Sequence, residues 1–560
     1  MQVARRVDVA PSTVEQADRE ENQQAWNLLA ALRNPSSLLG VRQSSSNNKP
    51  ALDNTVALLD LLNVRHDREQ LLRRKVETNI IESLRYPGMS NRYESLSDAY
   101  PETFKWALES TEKSEPDPNS IFQWLKTGNG VYWISGKAGS GKSTLMKYLL
   151  DSKVSNRHLE AWASSFPSES EDEKVSLCLA TFFFWNSGQV DQKSQKGMLR
   201  SLLFQIFSTY PDIIPIVFDD GWAKTYKILL RDENSLAMNS WDINRLATTL
   251  QAVFRQTTVS VRICLFIDGL DEFEAEPGDN AEPEDIAKLF KDIITSKNVK
   301  ALVSSRPWPI FSSTYHGCPF LRLEDLNRPD IIKYVNGKFE QNTAYKRLVI
   351  REPSSAPNLI KEIIAKSQGV FLWVRIVVQD ILRGIGNSDD VSESLRRLRA
   401  MPPQLEPLYH HLLSIIEKEG NTIWASKAFQ IIRAVREFCA KFAAGPIRRI
   451  MGSTPLSILM LHLALEGTDQ MHINLTEQGK LTRDILDKAC EDPKVRLTAR
   501  CAGFLEVPTF ERDGAWSRIE YLHRTSRDFL EKKIVWSRLL SDTAESGFNA
   551  HRALLRAQIR

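Results

Sequence analysis

Residues 131–144 read Val-Tyr-Trp-Ile-Ser-Gly-Lys-Ala-Gly-Ser-Gly-Lys-Ser-Thr, an apolar strand running without a spacer into Gly-x-x-x-x-Gly-Lys-Ser. No other stretch restricts the fold as strongly. A strand, a glycine turn and a helix in immediate succession form the opening of an α/β unit with a mostly parallel sheet. Gly136, Gly139 and Gly141 let the backbone curl until its N–H groups converge on an anion. Lys142 then supplies a point charge for β- and γ-phosphates, and the Ser143 hydroxyl is placed to ligate Mg²⁺. Thr144 to Leu150 is helix-forming, which sets the phosphates at a helix N-terminus. The run Gly136, Lys137, Ala138, Gly139, Ser140, Gly141, Lys142, Ser143 and Thr144 is therefore the candidate site for a nucleoside triphosphate.

Two further strand ends carry the matching chemistry. Ile263 to Ile267 is a short apolar run, as expected of a strand buried on both faces, and it ends in Asp268-Gly269-Leu270-Asp271-Glu272. A carboxylate at such a strand end faces the crevice where open α/β sheets bind ligands. Asp268 is the candidate second metal ligand, acting through a water, and Asp271 or Glu272 would orient or deprotonate an attacking water. Val299 to Ser305 is another strand, ending in Ser304-Ser305-Arg306-Pro307, where Pro307 stops the ladder. Arg306 at that tip can reach a γ-phosphate.

At 560 residues, several domains of ordinary size are expected, and 73 basic against 70 acidic residues leave no basic field for nucleic acid or anionic membrane. The cysteines at 178, 264, 318, 439, 490 and 501 are scattered without a C-x-x-C pair, as small buried hydrophobes in a reducing compartment. No secretory signal follows Met1, and Leu456 to Leu465 is too short to span a bilayer. A cytoplasmic location is the expectation.

Along the chain, 1–50 is polar and reads as a disordered arm with a helix over Asp18–Leu32. Residues 51–115 form a helical region, with patterns over 54–84 and Tyr93–Leu108. The α/β domain spans 121–325 and includes a strand from Ser176 to Trp185 and a helix from Met198 to Phe207. Its Phe182-Phe183-Phe184-Trp185 run reads as core rather than as a base-stacking surface. From 326 to 445 helices dominate: Asp330–Phe339, Leu359–Ala365, Val370–Leu382, Leu405–Glu417 and Trp424–Phe442. Residues 446–540 mix helices with short strands near 503–507 and 517–522, and 541–560 is a short polar tail. Arg396-Arg397-Leu398-Arg399 reads as an exposed helix face.

Taken together, Gly136–Ser143, Asp268-Gly269-Leu270-Asp271-Glu272 and Ser304-Ser305-Arg306-Pro307 resemble the NACHT branch of the STAND signalling NTPases. Phe182 to Gly188, Ser305 to Trp308, Gly369 to Val374 and Tyr521 to Leu530 are similar to the fungal subgroup related to heterokaryon-incompatibility proteins. The resemblance covers about residues 75–540. It implies a NACHT domain, a helical domain and a winged-helix-like domain at 446–540, with ATP/ADP and Mg²⁺ as ligands. It also implies that His523, in Leu-His-Arg-Thr-Ser-Arg-Asp-Phe-Leu, contacts the β-phosphate of ADP in a closed state. A neutral imidazole can donate to a phosphate oxygen. The absence of an Asn-Lys-x-Asp guanine-reading sequence agrees with ATP. Neither a C-terminal repeat array nor a nameable N-terminal effector pattern is present, so the chain reads as a fragment or a shortened member.

The resulting expectation is a slow ATPase that works as a nucleotide switch, self-associates in the ATP state and signals to an unidentified protein partner or effector. Membrane and nucleic-acid partners are not expected. The alternatives are a nucleotide-binding scaffold with little hydrolysis, or a small-molecule P-loop kinase.

Overall fold

A computed structural model of the protein describes residues 66–96, 98–109, 118–165, 175–186, 188–232, 240–275, 283–291, 298–387, 389–441, 456–466, 490–507 and 514–559. The expected arm at 1–50, its Asp18–Leu32 helix and Cys439's side chain lie outside them.

Five strands form one parallel sheet: β1 (Gly130–Ser135), β2 (Ser176–Phe183), β3 (Val261–Asp268), β4 (Val299–Ser305) and β5 (Phe320–Arg322), in the order β2-β3-β4-β1-β5. The register pairs Gly130 with Lys300 through Ser135 with Ser305, so the glycine loop after β1 and the tip of β4 leave the sheet side by side. β1, β3 and β4 are buried along their whole length. Alternate residues serve opposite faces. Trp133, Leu265, Ile267 and Val303 pack on the side of the Gln195–Thr209 and Ile243–Arg255 helices. Tyr132, Ile134, Cys264, Phe266 and Leu302 face the other side, with Leu145 and Leu149 of the helix after the glycine loop. Covering both faces explains why these strands read as unbroken apolar runs.

One strand departs from that pattern. Lys300 of β4 is fully buried, and its ammonium donates to the carbonyls of Trp124 (3.0 Å) and Leu125 (2.8 Å) near the C-terminus of the Ile121–Thr127 helix. It lies 4.6 Å and 4.2 Å from the ring centres of Trp124 and Trp162. Burial pushes its pKa down to about 7.

After the sheet and the short Leu323–Leu326 helix, the described residues run through seven successive helices: Arg328–Gln341, Thr343–Arg351, Ala356–Lys366, Phe371–Gly386, Val391–Ala400, Leu405–Lys418 and Thr422–Lys441. The second was not anticipated, and the fifth was anticipated only over Arg396–Arg399. A single apolar core runs through them into the C-terminal segments, joining Trp373 and Phe429 to Phe504 and Phe529. In the region expected to be winged-helix-like, the described residues form the antiparallel pair β6 (Leu505–Glu506) and β7 (Glu520–Tyr521) with the Glu491–Arg500 and Arg524–Leu530 helices.

Three expectations need correction. Tyr93–Leu108 is not one helix: Asn91–Ser95 and a 3₁₀ turn at Lys105–Ala107 flank Pro101, which cannot continue a helical ladder. Beyond that proline, Glu102 and Phe104 adopt positive φ (66° and 62°), and the Phe104 N–H (3.2 Å) and Trp106 indole N–H (2.9 Å) donate to Asp330. The polar tail forms the Ala550–Ile559 helix, which packs against Ile458–Glu466 and Thr422–Lys441. Arg397 does not share the exposed face of its neighbours but pairs with Asp380 and Asp389, each at 3.1 Å.

Among the described residues, Cys178, Cys264, Cys318, Cys490 and Cys501 are free thiols. No described helix is long and apolar enough to cross a membrane.

Candidate functional site

The chain leaves β1 at Ser135 and turns through the glycine loop into the Lys142–Asp151 helix. Gly139 and Gly141 have φ of 73° and 104°, left-handed conformations that disfavour any side chain. At Gly139 there is a second constraint, because an added Cβ would lie 2.7 Å from the Leu372 Cβ. The loop is also bonded to the helical region. The Leu372 N–H donates to the Gly139 carbonyl (2.9 Å), and the buried Asn327 amide donates to the carbonyls of Ser140 (3.2 Å) and Gly369 (2.7 Å).

Ala138, Gly139, Gly141, Lys142, Ser143 and Thr144 line one wall of a cavity of about 480 Å³. Asp268, Asp271, Glu272, Arg306 and His523 line it too, so Lys142 and Asp268 share one crevice. Gly136, Lys137 and Ser140 lie off that wall. The Gly136 and Lys137 carbonyls accept from the Lys142 ammonium (2.7 and 3.2 Å), and the Lys137 N–H donates to Glu324 (3.2 Å). Burial lowers the Lys142 pKa, while the charges of Asp271 and Asp268 act to raise it.

Asp268 is buried at the end of β3. The hydroxyls of Ser143 and Ser304 donate to it, the latter at 2.6 Å, and favour its ionised form against a burial that raises its pKa. Ser304 also accepts the Gly269 N–H at 2.9 Å, which locks the two strand tips together. Asp271 accepts the Arg306 backbone N–H (3.0 Å) and pairs with the Arg306 Nε (2.9 Å). Glu272 accepts the Asn186 N–H (3.2 Å) and pairs with Arg524 (3.0 Å).

The C-terminal segment closes the opposite wall. His523 caps the Arg524–Leu530 helix, and its Nδ1 accepts the Thr525 N–H at 3.1 Å. That bond leaves the proton on Nε2 of the neutral ring. Burial, reinforced by Arg92, Lys142, Arg306 and Arg524, pushes its pKa down to about 3. Thr525 in turn bonds Tyr409 through its hydroxyl (2.7 Å), fixing the cap to the Leu405–Lys418 helix. Arg527 donates to the Asn186 side chain (2.7 Å), clamping the loop that holds Glu272.

Phe182, Phe183 and Phe184 are core residues, as expected, but Trp185 lines the cavity. Residue reasoning did not single out Arg92, Arg524, Arg527 or the Arg375–Glu506 ion pair, all of which border the cavity. Arg524 and Arg527 stand in the same quoted stretch as His523, one turn of helix apart, and that spacing was their available signal. Arg92 had none.

The cavity combines the glycine loop, the carboxylates of Asp268, Asp271, Glu272, Glu506 and Glu520, several guanidiniums and the apolar side chains of Ile432, Val435, Leu456 and Ile519. Chemically it suits a ligand with a charged chain at one end and a flat or apolar group at the other. The deep carboxylate with its two serine hydroxyls offers the hard oxygen donors that Mg²⁺ takes.

The family model described as nephrocystin 3, N-terminal, matches residues 102–306, which begins before β1 and ends at the tip of β4. A domain of unknown function (DUF7791) matches residues 423–560. No curated protein matches the chain. Among solved structures, a chain from the structure of Drosophila ORC bound to DNA is similar at 14% identity, with 77% of this chain and 93% of that chain covered. Its TM-score of 0.26 makes that likeness too slight to argue from.

Proposed function

We propose that this protein is a NACHT-type nucleotide switch that binds ATP and ADP with Mg²⁺ and hydrolyses ATP slowly. The observation that carries this reading is the single cavity into which the glycine loop, Asp268 and His523 all open, from three separate regions of the chain. When bound, Mg²⁺ would neutralise phosphate charge between Ser143 and Asp268. Lys142 would turn from the Gly136 and Lys137 carbonyls to the phosphates. His523 would donate from Nε2 to a phosphate oxygen, holding the C-terminal segment shut. The apolar end near Ile432 and Ile519 would take the base.

Slow hydrolysis follows from the two ion pairs. While Arg306 holds Asp271 and Arg524 holds Glu272, neither carboxylate is at liberty to take a proton from water. Opening the C-terminal wall would free Glu272 and expose surface for self-association and for an effector protein. The wider reading includes a winged-helix-like C-terminal unit, kinship with the fungal incompatibility subgroup and a cytoplasmic setting. The same ion pairs favour one alternative, a binding scaffold with negligible hydrolysis.

The test is equilibrium binding of fluorescent ADP and a non-hydrolysable ATP analogue, combined with size-exclusion chromatography and light scattering. Wild type should bind both and enlarge only with the ATP analogue, while Lys142→Ala should bind neither. Tight binding by Lys142→Ala would refute the reading. Turnover lost in Glu272→Gln distinguishes the ATPase from the scaffold.

A further inference from the structure

Lys142, Arg306, Arg524, Arg527 and Arg92 all line the cavity, and the first four have partners of their own. Lys142 caps carbonyls of its own loop, Arg306 holds Asp271, Arg524 holds Glu272, and Arg527 holds Asn186. Arg92 differs. It projects from the short Asn91–Ser95 turn, and among the described residues no hydrogen bond or ion pair engages its guanidinium. Its Nε is buried without an acceptor, which costs free energy unless an acceptor arrives. The guanidinium carbon lies 6.0 Å from the centre of the Trp185 ring, and both residues line the cavity. Its charge reaches the acidic end, where it favours ionised Asp268, and it opposes protonation of His523.

We infer that Arg92 is a γ-phosphate contact, which makes the N-terminal segment, rather than the sheet alone, the reader of ATP against ADP. The inference rests on the proposed nucleotide site and adds the residue that discriminates between its two ligands. Asp268 marks the end of the cavity where a metal-bound terminal phosphate would lie. A guanidinium offers the planar pair of donors that phosphate accepts. Because Asn91–Ser95 would be drawn toward the terminal phosphate, the presence of that group would be felt in the chain preceding the sheet.

The experiment compares wild type, Arg92→Ala, Arg92→Lys and Lys142→Ala for binding of ADP and of a non-hydrolysable ATP analogue by calorimetry. Hydrogen exchange is followed over residues 88–100, and circular dichroism confirms folding. Arg92→Ala should lose roughly ten- to hundredfold in affinity for the ATP analogue while its ADP affinity changes less than about threefold. Arg92→Lys should recover part of the loss, and in wild type only the ATP analogue should slow exchange over 88–100. Equal losses for both nucleotides, or no loss for either, would overturn the inference while leaving the nucleotide site standing. If Arg92→Ala fails to fold, Arg92→Lys with unchanged discrimination and no wild-type protection would overturn it as well. Wild type binding neither nucleotide would instead sink the parent reading.

Discussion

The Nε of Arg306 lies 2.9 Å from one oxygen of Asp271, while the backbone N–H of the same arginine donates to the other oxygen at 3.0 Å. Both oxygens are thus taken by a single residue at the tip of β4. Asp271 takes only the Nε of that guanidinium, so its two Nη groups remain to meet a phosphate while the pair stays intact.

Breaking the neighbouring pair should release activity. Arg524→Ala frees Glu272 from its 3.0 Å partner, and we expect ATP turnover to rise several-fold with a smaller rise in self-association. A steady-state phosphate-release assay checks this; unchanged or reduced turnover would count against a restraining role.

Gly139→Ala should disable the anion cradle. The substitution imposes a side chain at φ 73° and a 2.7 Å approach to Leu372, a combined cost of about 1–3 kcal/mol. Chemical denaturation should show that loss, and nucleotide titration should show binding weakened at least tenfold.

Acid should destabilise the protein through His523. Its folded pKa is about 3 against an ordinary 6.5, so the unfolded chain binds a proton that the folded chain refuses. Stability from this group is complete above pH 6.5 and is lost as pH falls toward 3, by at most about 1.4 kcal/mol per pH unit. The residue is half-buried, so cavity water reduces the slope. Urea midpoints of wild type and His523→Gln across pH 4–7 should converge at the acid end.

Lys300 should leave its mark in the alkaline range. With a folded pKa near 7 and an unfolded value near 10.5, its contribution is present above 10.5 and is lost as pH falls through 7. Melting temperatures of wild type should therefore rise with pH over 7–10 relative to Lys300→Met, and parallel profiles would refute the assignment.

The sheet and its glycine loop were legible because their signals are local. A glycine loop dictates its own turn, and β3 and β4, covered on both faces, could only be written in apolar residues ending at Asp268 and Arg306. What stayed hidden depends on distance. Arg92 lines the cavity from the short Asn91–Ser95 helix, a placement that no local spacing encodes. Arg524 meets Glu272 across some 250 residues of sequence, a pairing that no periodicity encodes. The burial of Lys300 carries no local signal, since its ammonium is solvated by carbonyls of a helix far upstream. The tail helix was missed because its few apolar positions matter only against the distant Ile458–Glu466 and Thr422–Lys441 helices.

The bonds from Leu372 and Asn327 to the glycine loop turn that loop into a strain gauge. Torque applied to the helical bundle would reach the loop through these bonds. Mechanical load and phosphate grip would then be two readings of one displacement, and a single-molecule stretching experiment on the bundle would register ligand as added stiffness.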